Sequence, residues 1–289
     1  MRVHAAHPRF AGGWNCLIVA ILLAPLLLLS STALAGLPQP MFIYYGQVKD
    51  GFGIPYRDNA EVILLRDNSI VAHHKIDGSP VGGVNFALYV HLDDGRGTSN
   101  YAAKAVRTGD SISILVRDAY GQRTIMEQAT VPAVGKPGEI VAINVTAGED
   151  ADGDLLPDQW EQELIHWSNG ELLDISQVNP EDDFDGDGQS NGDEYRAGTF
   201  AFLDYDYFFA EQMAVTPNGR IEVRFWGVEG KIYAAQHKTT IEAELWSHTL
   251  FAVTDTAEFL TGPIVGSGHW ISIYLPKDQA HQFFRFTVE

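Results

Sequence analysis

Residues 149–198 read EDADGDLLPDQWEQELIHWSNGELLDISQVNPEDDFDGDGQSNGDEYRAG, a stretch so rich in carboxylates that any fold built on it must find a way to neutralise them. Its second half places Asp183, Asp185, Asp187, Gly188, Asn191 and Glu194 at positions 1, 3, 5, 6, 9 and 12 of a twelve-residue loop. Oxygen ligands on alternate residues of such a loop converge on one ion. Gly at position 6 permits the sharp turn, and Glu at position 12 closes the shell with both oxygens. The carbonyl of Gln189 supplies the position-7 ligand, and Asn191 acts directly or through water. The spacing predicts a bound calcium ion. The competing reading is a solvated acidic run, but such runs rarely place Gly at 6 and Glu at 12 together.

The first half repeats the pattern with a flaw. Asp150, Asp152, Asp154, Asp158 and Glu161 fall at positions 1, 3, 5, 9 and 12, with the carbonyl of Leu156 at position 7. Position 6 is Leu155, and a Leu at positive φ costs roughly 1–2 kcal/mol. Pro157 at position 8 has no N–H, so the short β-bridge that couples paired loops of the EF-hand kind cannot form in its usual way. The loop is expected to bind calcium in a strained or differently bent form. The alternative is an acidic linker feeding the next helix N-terminus, where carboxylates are favoured anyway.

Each loop leads into a helix. Pro157 suits the first turn of one, and Trp160, Leu164 and Trp167 give it an apolar stripe at i, i+4, i+7. Ser190 with Asp193 approximates a capping box for the other, and Gly198 is its stop. Loop-then-helix units with the sequences DADGDLLPDQWE and DFDGDGQSNGDE resemble the calcium repeats of thrombospondin type 3 modules and, more loosely, dockerin modules. Dockerin loops usually close with Asp where both loops here close with Glu, and the cysteines that punctuate thrombospondin repeats are missing. The resemblance covers about 50 residues and implies the ion, not a reaction.

Residues 1–35 read as a signal peptide. Arg2 and Arg9 precede the apolar run of residues 17–29, and Ala33-Leu34-Ala35 gives a small-x-small cleavage site before Gly36. The run is short of the roughly 20 residues that span a bilayer. The sole cysteine, Cys16, leaves with it, and the remaining chain carries 17 basic against 38 acidic residues, a formal −21. An exported chain without disulfides must be stabilised otherwise, and metal closure of acidic loops is one route. So acidic a chain is not expected to bind nucleic acid, nor to enter the membrane once the signal is removed. The expected location is secreted or at the cell surface, with the periplasm open. The sequence leaves the oligomeric state undetermined.

The flanks read as β. Over residues 41–147 the runs FIYYGQV, AEVILLR, VNFALYVHL, SISILVR and EIVAINV are separated by turn clusters such as KDGFGIP and DDGRGTS. The succession from Gly46 through Gly53-Ile54-Pro55 to Ala60-Glu61-Val62 resembles the opening of carboxypeptidase-regulatory-like domains, which implies a transthyretin-like sandwich without catalysis of its own. Over residues 204–289, IEVRFWG and KIYAAQHK are expected to form a hairpin, followed by ELWSHTLFAV, HWISIYLP and HQFFRFTV. Gly230 to Tyr233, Leu245-Trp246 and Phe283 to Arg285 resemble a small β-module found at the C-termini of large secreted bacterial proteins. The expected fold is therefore mainly β, with two β-sandwich-like domains joined by a calcium-binding loop-helix segment at residues 148–203.

No nucleophile elbow, phosphate loop, dinucleotide fingerprint or His-Glu-x-x-His is present, so the chain is read as a non-enzyme. Adjacent His73 and His74 are read as a surface pair flanking a turn, and Ser267 with His269 does not make a triad by itself. The functional expectation is a scaffold, adhesion or ligand-binding protein whose β domains are held by calcium, with an extracellular protein or glycan as partner. Two alternatives stand beside it. A docking module would expose an apolar strip containing Trp160, Leu164 and Tyr195. A glycan-binding accessory protein of a polysaccharide-degrading system, or a glycan-cleaving one, would expose two of Trp226, Trp246 and Trp270 on one face or carry a cleft with two carboxylates outside the calcium loops.

Overall fold

The computed structural model describes residues 35–78, 80–260, 262–277 and 282–288. The signal peptide read over residues 1–35 lies, apart from Ala35, outside them. Alternating apolar and polar residues make strand the commonest regular structure, and the fold is mainly β, with 38% strand against 10% helix.

The first half runs β1 (Pro38–Gly46), β2 (Val48–Lys49), β3 (Glu61–Arg66), β4 (Ser69–Lys75), β5 (Phe86–Asp93), β6 (Ser113–Asp118), β7 (Gly121–Arg123), β8 (Ile140–Ala142) and β9 (Val145–Thr146). One sheet has the order β5-β1-β8, a second the order β4-β3-β6-β7, and β2 pairs with β9 in parallel. Phe42, Tyr44, Phe86 and Leu88 of the first sheet and Val62, Leu64, Ile114 and Val116 of the second are buried in one cluster. Each such side chain contributes roughly 1.5–3 kcal/mol. The phenol of Tyr44 stays satisfied by donating to the carbonyl of Pro132 at 2.6 Å.

Strand β4 corrects the reading of the histidines as a turn-flanking pair. His73 and His74 lie inside the strand, opposite Ile63 and Val62, and the ring of His73 meets the Glu61 carboxylate at 2.6 Å. The β3–β4 turn is made by Asp67 and Asn68 at φ 48° and 62°. That is the backbone of a tight hairpin turn, which Asp and Asn tolerate. Without a glycine the turn leaves little trace in the sequence.

After the two helices, α1 (Asp158–Trp167) and α2 (Asn191–Ala197), come β10 (Ala210–Val215), β11 (Ile221–Gly227), β12 (Ile232–Lys238), β13 (Ser247–His248), β14 (Ile264–Val265), β15 (His269–Leu275) and β16 (Phe283–Val288). The expected hairpin of IEVRFWG with KIYAAQHK does not form. Strand β11 pairs with β10 and β15, whereas β12 pairs with β13, β14 and β16. Residues 228–231 therefore carry the chain from one sheet to another. The reason is burial. A hairpin would set the apolar faces side by side in one sheet, whereas here Val223 and Phe225 of β11 share a core with Tyr233 and Ala235 of β12. Gly266 makes the crossing possible, because a Cβ there would lie 1.9 Å from the carbonyl oxygen of Val228.

A third cluster holds the helical segment. Leu156, Trp160, Leu164, Val178 and Ala201 are buried, with Phe52 from the first half, Phe184 and Tyr195 packed against them. The helical segment thus shares its core with the β2–β3 connection. The described residues fall within one compact unit. Among the described residues no helix is long and apolar enough to cross a membrane.

Candidate metal centre

The two acidic loops have nearly the same backbone. Position 4 is Gly153 or Gly186, each at φ 80°, and position 6 is Leu155 at φ 79° or Gly188 at φ 99°. Leu155 thus occupies the left-handed conformation that its place in the pattern demands, with its side chain 78% exposed. No packing there offsets the strain. The bend is the same and only the strain differs.

Side-chain capping repeats as well. Asp150 accepts from the N–H of Gly153 at 2.7 Å through one oxygen and of Leu155 at 3.1 Å through the other. Asp183 accepts in the same way from Gly186 at 2.8 Å and Gly188 at 3.0 Å. Asp154 accepts from Leu156 at 2.8 Å and Asp187 from Gln189 at 2.7 Å. These bonds curl each loop so that Asp150, Asp152 and Asp154 bring carboxylate oxygens within 4.8 Å of one another, as do Asp183, Asp185 and Asp187.

Both loops close on a buried glutamate at the start of a helix. Glu161 in α1 and Glu194 in α2 are each 0% exposed. Both carboxylate oxygens of Glu161, and Oε2 of Glu194, have no hydrogen-bond partner among the described residues, and the same holds for Oδ2 of Asp185 and of Asp187. The other oxygen of Glu194 accepts from Thr199 Oγ1 at 3.4 Å. Burial, then the neighbouring aspartates, push each glutamate up to about 8, those neighbours being led by Asp152 and Asp154 for Glu161 and by Asp185 and Asp187 for Glu194. Burial also raises Asp154 and Asp185. A buried carboxyl with no donor is costly unless a proton or a cation meets it.

The position-9 residues are engaged within the fold. Asn191 is buried, accepts from the N–H of Phe184 at 3.3 Å and donates to the carbonyl of Asn179 at 2.9 Å. Asp158 accepts from the N–H of Ala151 at 2.7 Å, so both pin the start of a loop to its helix. Gln189 sends its amide outward to the carbonyl of Phe208 at 2.9 Å. Leu156 is buried in the third core. Ser190 caps α2 by accepting from Asp193 N–H at 3.3 Å, and Gly198 ends it in the left-handed conformation. Pro157 stands one place earlier than expected, as the N-cap of α1.

Sequence reasoning gave no hint of the group that ties this centre to the sheets. Lys231 is 1% exposed, donates from Nζ to the carbonyl of Tyr195 at 3.0 Å and lies 5.5 Å from that ring. Gly53, at φ 72°, comes so close that a Cβ would stand 2.9 Å from Nζ. Beside it Gln47 donates to the carbonyl of Gly230 at 3.2 Å. Arg123 bridges Asp118 in β6 to Gln159 in α1, at 3.0 and 3.2 Å. Burial, with help from Lys49 and against Asp50, lowers Lys231 to about 7. A lone lysine at the end of the β11–β12 connection carries no pattern that would have singled it out.

The aromatic candidates divide. Trp226 and Trp270 are 46% and 42% exposed, face each other across β11 and β15, and have ring centroids 5.5 Å apart at 83°. Trp246 instead lies between Lys238 and Arg285, at 4.9 and 4.7 Å. Trp160 and Leu164 are buried and Tyr195 half-buried, so the apolar strip that a docking module would need is not presented. The ring of His269 meets the carbonyl of Ser267, not its hydroxyl, at 2.7 Å. No protein-family model matches this chain, and no curated protein or solved structure is significantly similar to it.

Proposed function

We propose that residues 149–198 bind two calcium ions, one per loop, and that the ions set the rigidity of the junction between the β regions of a secreted scaffold or ligand-binding protein. The observation that carries this reading is the pair Glu161 and Glu194, fully buried beside three converging aspartates each and without donors for most of their oxygens. All-oxygen, carboxylate-rich shells suit a hard cation, and the position-12 glutamate offers both of its oxygens as calcium sites require. Asp183, Asp185, Asp187 and Glu194 would hold one ion with the carbonyl of Gln189. Asp150, Asp152, Asp154 and Glu161 would hold the other with the carbonyl of Leu156.

Without the ion each loop holds three converging aspartates beside a buried glutamate, carboxylates that repel one another. Calcium relieves that repulsion and locks the start of each helix, and α1 and α2 then grip the sheets through Gln159 and Tyr195. Extracellular calcium modules bind at about 10⁻⁴–10⁻³ M. At ~2 mM calcium a site at the tighter end adds roughly 2 kcal/mol, enough to stiffen a junction. The test is a calorimetric calcium titration of the full chain with melts in calcium and in chelator. Two binding events are expected, with a calcium-dependent rise in Tm that is lost in the Glu161→Gln, Glu194→Gln variant. No heat and an unchanged melt at ~5 mM calcium, well above the expected Kd, would refute the reading.

A second reading rests on Trp226 and Trp270. Two half-exposed tryptophans share one sheet face, with the Arg224 guanidinium 5.0 Å from the centre of the Trp270 ring and Glu222 with its Tyr274 partner nearby. This aromatic and polar surface is of the kind that contacts a sugar ring. A glycan-array screen of the wild type against Trp270→Ala decides it, since hits that survive the substitution would remove this face as the site.

A further inference from the structure

A cavity of about 390 Å³ lies between the turn after β2, residues 160–164 of α1 and the chain that leaves α2. Phe52, Trp160, Leu164 and Phe202 give it apolar walls, and Asp50 and Glu163 supply its charged lining. No lysine, arginine or histidine lines it.

Each of the two carboxylates uses one oxygen in the fold. Asp50 Oδ1 accepts from the N–H of Phe52 at 3.0 Å and of Ile54 at 2.9 Å. Glu163 Oε1 accepts from the indole of Trp167 at 2.7 Å. Among the described residues neither Asp50 Oδ2 nor Glu163 Oε2 has a hydrogen bond, and neither carboxylate is in an ion pair. Lys231 and Arg123 are within Coulombic reach of Asp50 but stand outside the lining. An apolar ligand alone would leave two carboxylates facing it, and an anion would be repelled. A cation with a hydrocarbon or aromatic body satisfies both features, since aromatic faces also attract cations. The volume is at the small end of the range for small-molecule sites.

We propose that this cavity is a binding site for a small organic ammonium ion, its nitrogen between Asp50 and Glu163 and its apolar body against Trp160 and Phe52. The walls hang on the acidic loops. Trp160, Glu163 and Leu164 lie within three residues of Glu161 on α1, and Thr199 in the lining donates to Glu194. Occupation of the site is therefore expected to require calcium, and this dependence, unlike the ligand class, rests on the function proposed above.

The test is titration of the full chain in calcium with phenethylammonium, 2-phenylethanol and 3-phenylpropionate, followed by indole fluorescence and calorimetry. The ammonium should bind at least about tenfold more tightly than the neutral alcohol, as one charge-assisted contact allows. The variant Asp50→Asn, Glu163→Gln, which keeps both internal acceptors, should erase that preference while retaining the wild-type calcium melt. Equal binding of all three probes, no binding, or a preference that persists in the variant would overturn the site. Chelator should abolish ammonium binding. Retention of ammonium binding in chelator while calcium alone still gives heat would overturn the linkage. Ammonium binding with no calcium heat at all would sustain the cavity and sink the calcium reading.

Discussion

At the scale of single residues, the informative positions are those where the two loops differ. Leu155 and Gly188 hold the same left-handed turn, yet only glycine does so without strain. Leu155→Gly should therefore stabilise the protein by about 0.5–1 kcal/mol. This is the roughly 1–2 kcal/mol of relieved strain less the greater freedom glycine has when unfolded. Gly188→Ala should cost about 1–2 kcal/mol, since no atom crowds a Cβ there and the backbone alone decides. Urea midpoints of the two variants check both signs, and a destabilised Leu155→Gly would show that the side chain has a contact worth more than the strain.

At the scale of elements, the short helices owe little to intrinsic propensity. Helix α2 has seven residues and is held by the cap at Ser190, by Gly198 and by the loop before it. Ser190→Ala should cost about 1 kcal/mol, read as a drop in the chelator melt. In calcium the same substitution should cost less, because an ion on Glu194 holds the first turn from inside. An equal loss in both conditions would count against an ion there. Among the strands, alternation made β1, β3, β5, β11 and β15 legible. It did not reveal β4, whose turn has no glycine, or that β11 and β12 part company. Both strands are amphipathic, and their pattern is the same whether they pair or face each other across a core.

For the whole molecule, the joint around Lys231 is the place where the parts depend on one another. Its buried ammonium falls from the ordinary 10.5 to about 7. Between those values the unfolded chain holds a proton that the folded chain has released. Stability from this group therefore rises with pH across the window and is lost as pH falls through it. Lys231→Met should remove that dependence, so the difference between variant and wild type in denaturant midpoint should narrow as pH rises from about 7 to 10. A constant difference would mean that the lysine stays charged when buried.

What the sequence determined by itself was local chemistry: carboxylates at alternate positions, a Glu at each twelfth, the turns, the caps and the period-two strands. Each depends on neighbours a few residues away, so spacing alone reports it. That Glu161 and Glu194 are wholly buried, that three of their four oxygens lack donors, and that Asp50 and Glu163 line one aromatic cavity were decided by the tertiary structure. So were the exposure of Trp226 beside Trp270 and the burial of Lys231 under Tyr195. These depend on which surfaces pack together over separations of up to 183 residues, as between Gln47 and Gly230. Packing of that kind is set by total apolar burial and shape, and no single stretch of sequence carries it.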